Sequence, residues 1–435
     1  MGRKAGWAPF LPILPLLPFQ PERQGNMREM SVRRSMSLLA VAVTVLGIAI
    51  ISAPYLHGFS FVIRAADVQG TARRFADLDT RAVQDRETAI PTPRGSLRAR
   101  IYSPPGTGRR VALVVSGLHV AGIDEPRLHR LARELAASGV VVVTPDIPEL
   151  SRFDITPAIT DAIERAAVWL ATESGLTRDQ RIGMMGISFS GGLSLVAAGR
   201  PSLKDHVAYV FSFGGHDDLP RVLRYLCTGI EPYPAGRIRL RPDATNASSA
   251  AAQPDQQFVS SPHDYGVAVI LLGVADRLVP PAQVEPLRAA VRRFLYASAL
   301  DNNVDKAKAA QEFDALRRLE KTMREPSATL LRYVNARDVV HLGARLLPFI
   351  GPYGGNPALS ASRSPKPSAP VFLLHGNDDN VIPSLESEYL ADELRGHVPV
   401  RLLLSGLISH AEADRPMHVS DIAQLASFWG DLLSR

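Results

Sequence analysis

One cysteine, Cys227, stands in the whole 435-residue chain. That excludes an internal disulfide and any cysteine-built metal cluster. No H-E-x-x-H or comparable ligand spacing occurs either, so no catalytic metal is expected and no other cofactor is called for. Aromatic residues make up only 6% of the chain. They do not interleave with a basic stripe, so nucleic acid is not an expected partner despite the formal net charge of +6. The charge is unevenly placed, with six basic and two acidic side chains in residues 1–37. A chain of this length can bury a sizeable core, and one large domain with an insertion is the natural prior.

Met1–Gln24 is rich in proline and leucine. Its prolines lack amide hydrogens and forbid a regular helix. Translation from Met27, Met30 or Met36 is the expectation for this end. Leu38–Leu56 then runs without a charge behind Arg28, Arg33 and Arg34. The run is about long enough to cross a bilayer as a helix. The arginines in front of it imply that they stay cytoplasmic while the rest of the chain lies outside. A cleaved signal peptide is the rival reading, but no clear A-x-A site follows the run. The stretch beyond, Phe59–Glu87, reads as a tether or an amphipathic helix.

From residue 96 onward the pattern is an alternation. Leu97–Tyr102 alternates apolar and basic residues, as an edge strand does. Val111–Val115 and Val140–Val143 are continuous apolar runs, as expected of strands covered on both faces. Helical spacing appears in Glu125–Ala137 and Ala158–Ala171. Two further strands are expected at Ile182–Ile187 and Val207–Phe213. Strands alternating with helices predict an α/β fold with a doubly wound, mostly parallel sheet. Ligands in such sheets gather at the carboxyl ends of the strands.

Chemistry concentrates at one of those ends. Arg181–Gly192 reads RIGMMGISFSGG, an apolar run that meets a serine and then small residues. A strand turning sharply into a helix here lifts the Ser188 hydroxyl out of the sheet. It needs small flanks because strand and helix nearly touch. Gly186 and Ser190 are those flanks. The segment resembles the nucleophile elbow of the α/β-hydrolase superfamily, G-x-S-x-G, with Ser190 in place of the last glycine. The alternative frame puts Ser190 at the corner, without a glycine two residues before it. Two backbone amides must face the developing oxyanion. The resemblance assigns them to Phe189 and to Leu118, in the loop after Val115. That loop reads Ser116-Gly117 where the superfamily often has His-Gly. His119, beside it, is either a substrate contact or an ordinary loop residue.

Val371–Pro383, VFLLHGNDDNVIP, matches the superfamily segment H-G-x-x-D-x-x-(V/I)-P from His375 and Gly376 through Asp379 to Pro383. Asp379 is thus the expected acid. The loop after the next strand, Val400–Leu404, carries His410, the expected base. The order Ser188, Asp379, His410 is the order this fold uses. Asp276, in a segment that repeats the Gly-x-x-Asp-x-x-x-Pro spacing but also suits an apolar helix, is a competing acid, and Asp378 a lesser one. His418 and His375 compete with His410. The resemblance also implies a helical cap in the insertion, with one helical face at Val284, Leu287, Val291, Phe294 and Leu295. A second face falls at Phe313, Leu316 and Leu319, and a further helix is expected over Leu330–Leu347.

The expected organisation is a cytoplasmic tail at 1–37, a transmembrane anchor at 38–56 and a tether at 57–95. The hydrolase core follows at 96–216, then a helical cap at 217–366, and the core resumes at 367–435. The function implied is esterase-like or dienelactone-hydrolase-like. A small-molecule ester would be cleaved through an acyl-enzyme on Ser188, by a protein anchored in the membrane and facing outward. The alternative is a non-catalytic binding or scaffold protein that kept the fold, supported only by the departures at Ser116 and Ser190.

Overall fold

The computed structural model describes residues 52–435, apart from 94, 107–109, 232–257, 260–261, 303 and 408–418. Its strands, in chain order, are β1 (Gln84–Thr92), β2 (Gly95–Ser103), β3 (Val111–Val115), β4 (Val141–Pro145), β5 (Ile182–Ile187), β6 (Val207–Phe213), the short β7 (Ile230–Glu231) and β8 (Phe258–Val259), β9 (Val371–Gly376) and β10 (Val400–Ser405). Eight form one sheet in the order β1-β2-β4-β3-β5-β6-β9-β10, while β7 and β8 pair separately. β2 pairs antiparallel with both β1 and β4, and the remaining pairings in the large sheet are parallel. The apolar runs β3 and β4 are buried throughout, as strands sandwiched between helices must be.

The helices are α1 (52–65), α2 (Thr71–Ala76), α3 (Pro126–Ala137), α4 (Pro148–Arg152), α5 (Pro157–Val168), α6 (Phe189–Ala198) and α7 (Leu219–Thr228). There follow α8 (Asp264–Leu278), α9 (Pro281–Asp301), α10 (Lys306–Glu320), α11 (Ser327–Asn335), α12 (Val339–Leu346), α13 (Ile350–Gly354), α14 (Leu385–Leu394) and α15 (Val419–Leu433). Alternate residues of β3 feed two separate cores. Val111, Leu113 and Val115 join the side built from α5, α6 and the helices α7–α13. Ala112 and Val114 join the side built from α1, α3 and α15. This three-to-two partition is the strand's period of two expressed as layers.

Three sequence expectations change. The tether expected at 57–95 is folded structure. Phe61, Val62 and Ile63 of α1 are buried, and β1 forms a hairpin with β2 over its full length. The sheet therefore ends at β1 rather than at Leu97–Tyr102. The helix expected over Leu330–Leu347 is two, α11 and α12. Between them Arg337 takes a φ of 54°, and the Asp338 carboxylate accepts from the His341 amide to cap the second. Of the expected anchor 38–56, residues 38–51 lie outside the described residues. Residues 52–56 belong to α1, where Pro54 already lies against Gly430 of α15: a Cβ at Gly430 would come within 2.3 Å of the Pro54 carbonyl oxygen. Among the described residues no helix is long and apolar enough to cross a membrane.

Candidate active site

β5 leads straight into α6, and Ser188 is the joint. Its backbone takes φ 53° and ψ −129°, a region that L residues adopt only when the surroundings force it. The forcing contacts can be named. The Ser188 amide donates to the Phe213 carbonyl of β6 across 2.6 Å, and the Gly191 amide donates back to the Ser188 carbonyl. Strand and helix run so close that a Cβ on Gly186 would lie 2.1 Å from the Ser190 carbonyl oxygen. Gly186 is therefore required at the flank before the serine. At the flank after it, the side chain of Ser190 is fully buried, and its hydroxyl donates to the carbonyl of Ser116 across 2.6 Å. Ser190 thus sits inside α6 and holds the loop after β3, whereas Ser188 occupies the half-buried corner.

That loop lies against the corner. A Cβ on Gly117 would come 3.2 Å from the Ser188 Cβ and 3.8 Å from its Oγ. Leu118 follows, and its carbonyl accepts from the hydroxyl of Tyr265 at 3.0 Å. The Phe189 amide opens α6, so it has no acceptor within the helix. His119 shapes the loop: its Nδ1 accepts from the Ala121 amide. Burial holds its pKa below the ordinary histidine value, which keeps the ring neutral.

Asp379 follows β9, two strands from Ser188 in the sheet. Oδ1 accepts from the amides of Val381 (2.8 Å) and Ile382 (3.0 Å), and the side chain is buried. Its Oδ2 faces the start of the loop after β6, where a Cβ on Gly214 would be 3.5 Å away. Ser188, Phe213, Gly214 and Asp379 thus form one run of contacts across the carboxyl ends of β5, β6 and β9. The neighbouring Asp378 is exposed.

His375 is fully buried and used on both nitrogens. Nε2 donates to the Ile382 carbonyl at 2.8 Å, so Nδ1 is the acceptor for the Ser387 hydroxyl at 2.6 Å. It braces the loop that carries Asp379 and has no nitrogen left for a serine. Asp276 lies within α8, exposed and paired with Arg288 at 3.2 Å, away from any strand end. His410 and His418 lie outside the described residues. The strand that leads to them, β10, places Ser405 opposite Gly376 of β9, and the Asn377 amide donates to the Ser405 carbonyl. The chain therefore leaves β10 at Gly406 beside the loop carrying Asp379.

Spacing gave no sign of the bridge that roofs this end of the sheet. The N-terminus of α8 touches both the loop after β3 and the loop after β9. The His263 amide donates to the Asn380 carbonyl, next to Asp379, and Tyr265 reaches Leu118. Phe153 backs Tyr265 edge-on at 5.6 Å. A second unforeseen cluster joins α14 to the start of α7. Glu386 of α14 accepts from the amides of Asp217 and Asp218 and pairs with Arg221, which also pairs with Asp217. Among the described residues no group of three or more metal-ligating side chains comes together.

No family model matches the chain, and no curated protein does. Solved structures similar to it include an esterase from Pyrobaculum calidifontis, at 17% identity and TM-score 0.40, with 80% of this chain and 85% of that one covered. A fungal esterase from Rhizomucor miehei is 13% identical at TM-score 0.41, over 86% and 91%. An acylaminoacyl peptidase from Pyrococcus horikoshii is 13% identical at TM-score 0.39, over 83% of this chain but 42% of that one. The fold is assigned from the geometry itself. A mostly parallel doubly wound sheet, a serine at a strained strand-to-helix corner and a loop after β3 packed on that serine together make an α/β-hydrolase-like fold.

Proposed function

We propose that the chain is a serine hydrolase that cleaves a carboxylic ester or related acyl bond of a small molecule. The observation that carries this reading is the Ser188 corner: a strained backbone, held by Phe213 and Gly191, that exposes one hydroxyl beside the Gly117–Leu118 loop. A backbone strained at a single serine is a feature a purely structural turn has no use for. In the proposed reaction His410 removes the Ser188 proton as Oγ attacks the acyl carbon. The amides of Phe189 and Leu118 hold the oxyanion of the tetrahedral intermediate. His410 then protonates the leaving alcohol, and an acyl-enzyme remains on Ser188. Water, deprotonated by His410, attacks the acyl carbon and releases the acid and the free serine. Asp379 fixes the tautomer of His410 and stabilises its charged form. The departure at Ser190, which a scaffold role would lean on, has a structural use, since its hydroxyl holds the backbone carbonyl of Ser116; nothing in the structure explains serine at 116.

We propose further that the apolar run ahead of Pro54 anchors the chain in a membrane with this domain outside the cytoplasm. The arginine cluster before the run supports that orientation. Extraction by alkaline carbonate would argue against the anchor, and protection of the domain from external protease would argue against the orientation.

Turnover of short-chain nitrophenyl esters by the purified chain tests the reaction. Loss of turnover is expected in Ser188→Ala and His410→Gln, and a fall of about three to four orders of magnitude in kcat in Asp379→Asn. Turnover undiminished in Ser188→Ala would refute the assignment.

A further inference from the structure

We infer that the domain carries its own lipid-contact face, built from Tyr55 and Leu56 of α1, Phe75 of α2 and Leu78 in the turn that follows it. This rests on the membrane reading above and adds to it: the domain would not hang free on its anchor but sit with this face in the interfacial layer. Six large hydrophobic side chains are exposed among the described residues, and these are four of the six, with exposures of 41%, 57%, 65% and 82%. Scattered single exposures need no explanation, but a gathering at one end of a domain does.

The gathering is built rather than frayed. His57 reaches Asp79 with Nδ1 at 2.5 Å and donates from Nε2 to the Ser138 carbonyl, which ties α1 to the end of the 71–79 segment. Arg64, almost wholly buried, donates to the carbonyls of Ala76 and Asp79 and to the Ser138 hydroxyl, and it pairs with Glu134 at 2.9 Å. A buried guanidinium satisfied on four sides fixes the segment; Ala76 turns inward, the exposed Asp77 and Asp79 pair with Arg73 and His57, and the other outward positions include Arg74, Phe75 and Leu78. Spaced three and four apart, these share one face. α1 is itself clamped to α15: a Cβ on Gly58 would come 2.0 Å from the Ala426 carbonyl oxygen.

The occupant is argued from where the remaining chain joins. The uncharged run of the sequence ends at the residues of α1 that present Tyr55 and Leu56. A tyrosine and leucines beside an arginine, at the exit of an apolar run, form the composition of a membrane–water interface. A bilayer surface of zwitterionic and anionic lipid fits that chemistry.

The test places tryptophan at Phe75, Leu78 and, as a control on the inserted helices, Val340, in the full chain reconstituted into phosphatidylcholine–phosphatidylglycerol vesicles. Fluorescence is read as the difference from the parent protein, with and without doxyl-labelled lipid. Phe75→Trp and Leu78→Trp should emit blue-shifted and lose intensity to the doxyl lipid, and Val340→Trp should do neither. Vesicle-floated protein with no quenching at 75 or 78 would overturn the lipid face while leaving the anchor intact. A blue shift without lipid quenching would overturn it in favour of cover by residues 1–51 or a second copy. Failure to float with the vesicles would remove the anchor reading and this one with it.

Discussion

The hydroxyl of Ser190 donates to the carbonyl of Ser116 across 2.6 Å, both residues being buried. One comes from the first turn of α6, the other from the end of β3. The bond therefore ties the helix that begins at the serine corner to the loop that carries Leu118. Ser190→Ala would leave a buried carbonyl unsatisfied, at a cost of about 1–3 kcal/mol. We expect a lower Tm, a reduced kcat and retained reactivity of Ser188. Calorimetry and ester kinetics check this, and abolished turnover in a well-folded variant would instead put Ser190 itself in the reaction.

The second hold on that loop comes from above. Tyr265 donates to the Leu118 carbonyl from a half-buried position, and Phe153 packs on its ring. Tyr265→Phe keeps the packing and removes the hydroxyl. If the Leu118 amide serves the oxyanion, kcat should fall with little change in KM. The fall should be roughly tenfold, less than the hundredfold or more that accompanies loss of a donor itself. An effect confined to KM would make Tyr265 a substrate contact instead.

Asp217 gives a pH signature. Burial pushes its carboxyl up to about 6, in spite of Arg221, and Oδ1 has no partner among the described residues. A folded-state value above the ordinary carboxylate value means that the folded protein prefers the protonated form. No penalty exists below about pH 4, where both states are protonated. Stability is lost as pH rises through about 6, by roughly 3 kcal/mol once ionisation is complete. Asp217→Asn removes that titration. Denaturant unfolding from pH 4 to 8 should show the parent losing stability relative to the variant over this window. Parallel curves would contradict the burial argument.

What the sequence made legible follows from where the physics is local. Val111–Val115 and Ile182–Ile187 are continuous apolar runs, and the close approach at Gly186 is written in a single glycine. β1 was hidden because only Ile90 of its nine residues is buried, so no alternation marks it. The break between α11 and α12 turns on a cap at Asp338 inside an otherwise periodic stretch. The docking of α1 depends on Gly58 meeting α15, a contact between opposite ends of the chain that neither end signals alone. The same holds at the site. Ser188 and Asp379 could be named from their segments, but the Ser190–Ser116 and Tyr265–Leu118 bonds join residues with no shared motif. Ser190 was weighed as a rival nucleophile for want of that bond.

The most direct measurement is the mass of the full chain after exposure to a fluorophosphonate, followed by peptide mapping. The reagent reports whether a serine has been made nucleophilic, whatever the natural substrate. We predict a single adduct on the peptide that contains Ser188, absent in Ser188→Ala and present in Ser190→Ala. A folded parent protein that takes no label, or one labelled on Ser190 instead, would contradict the account.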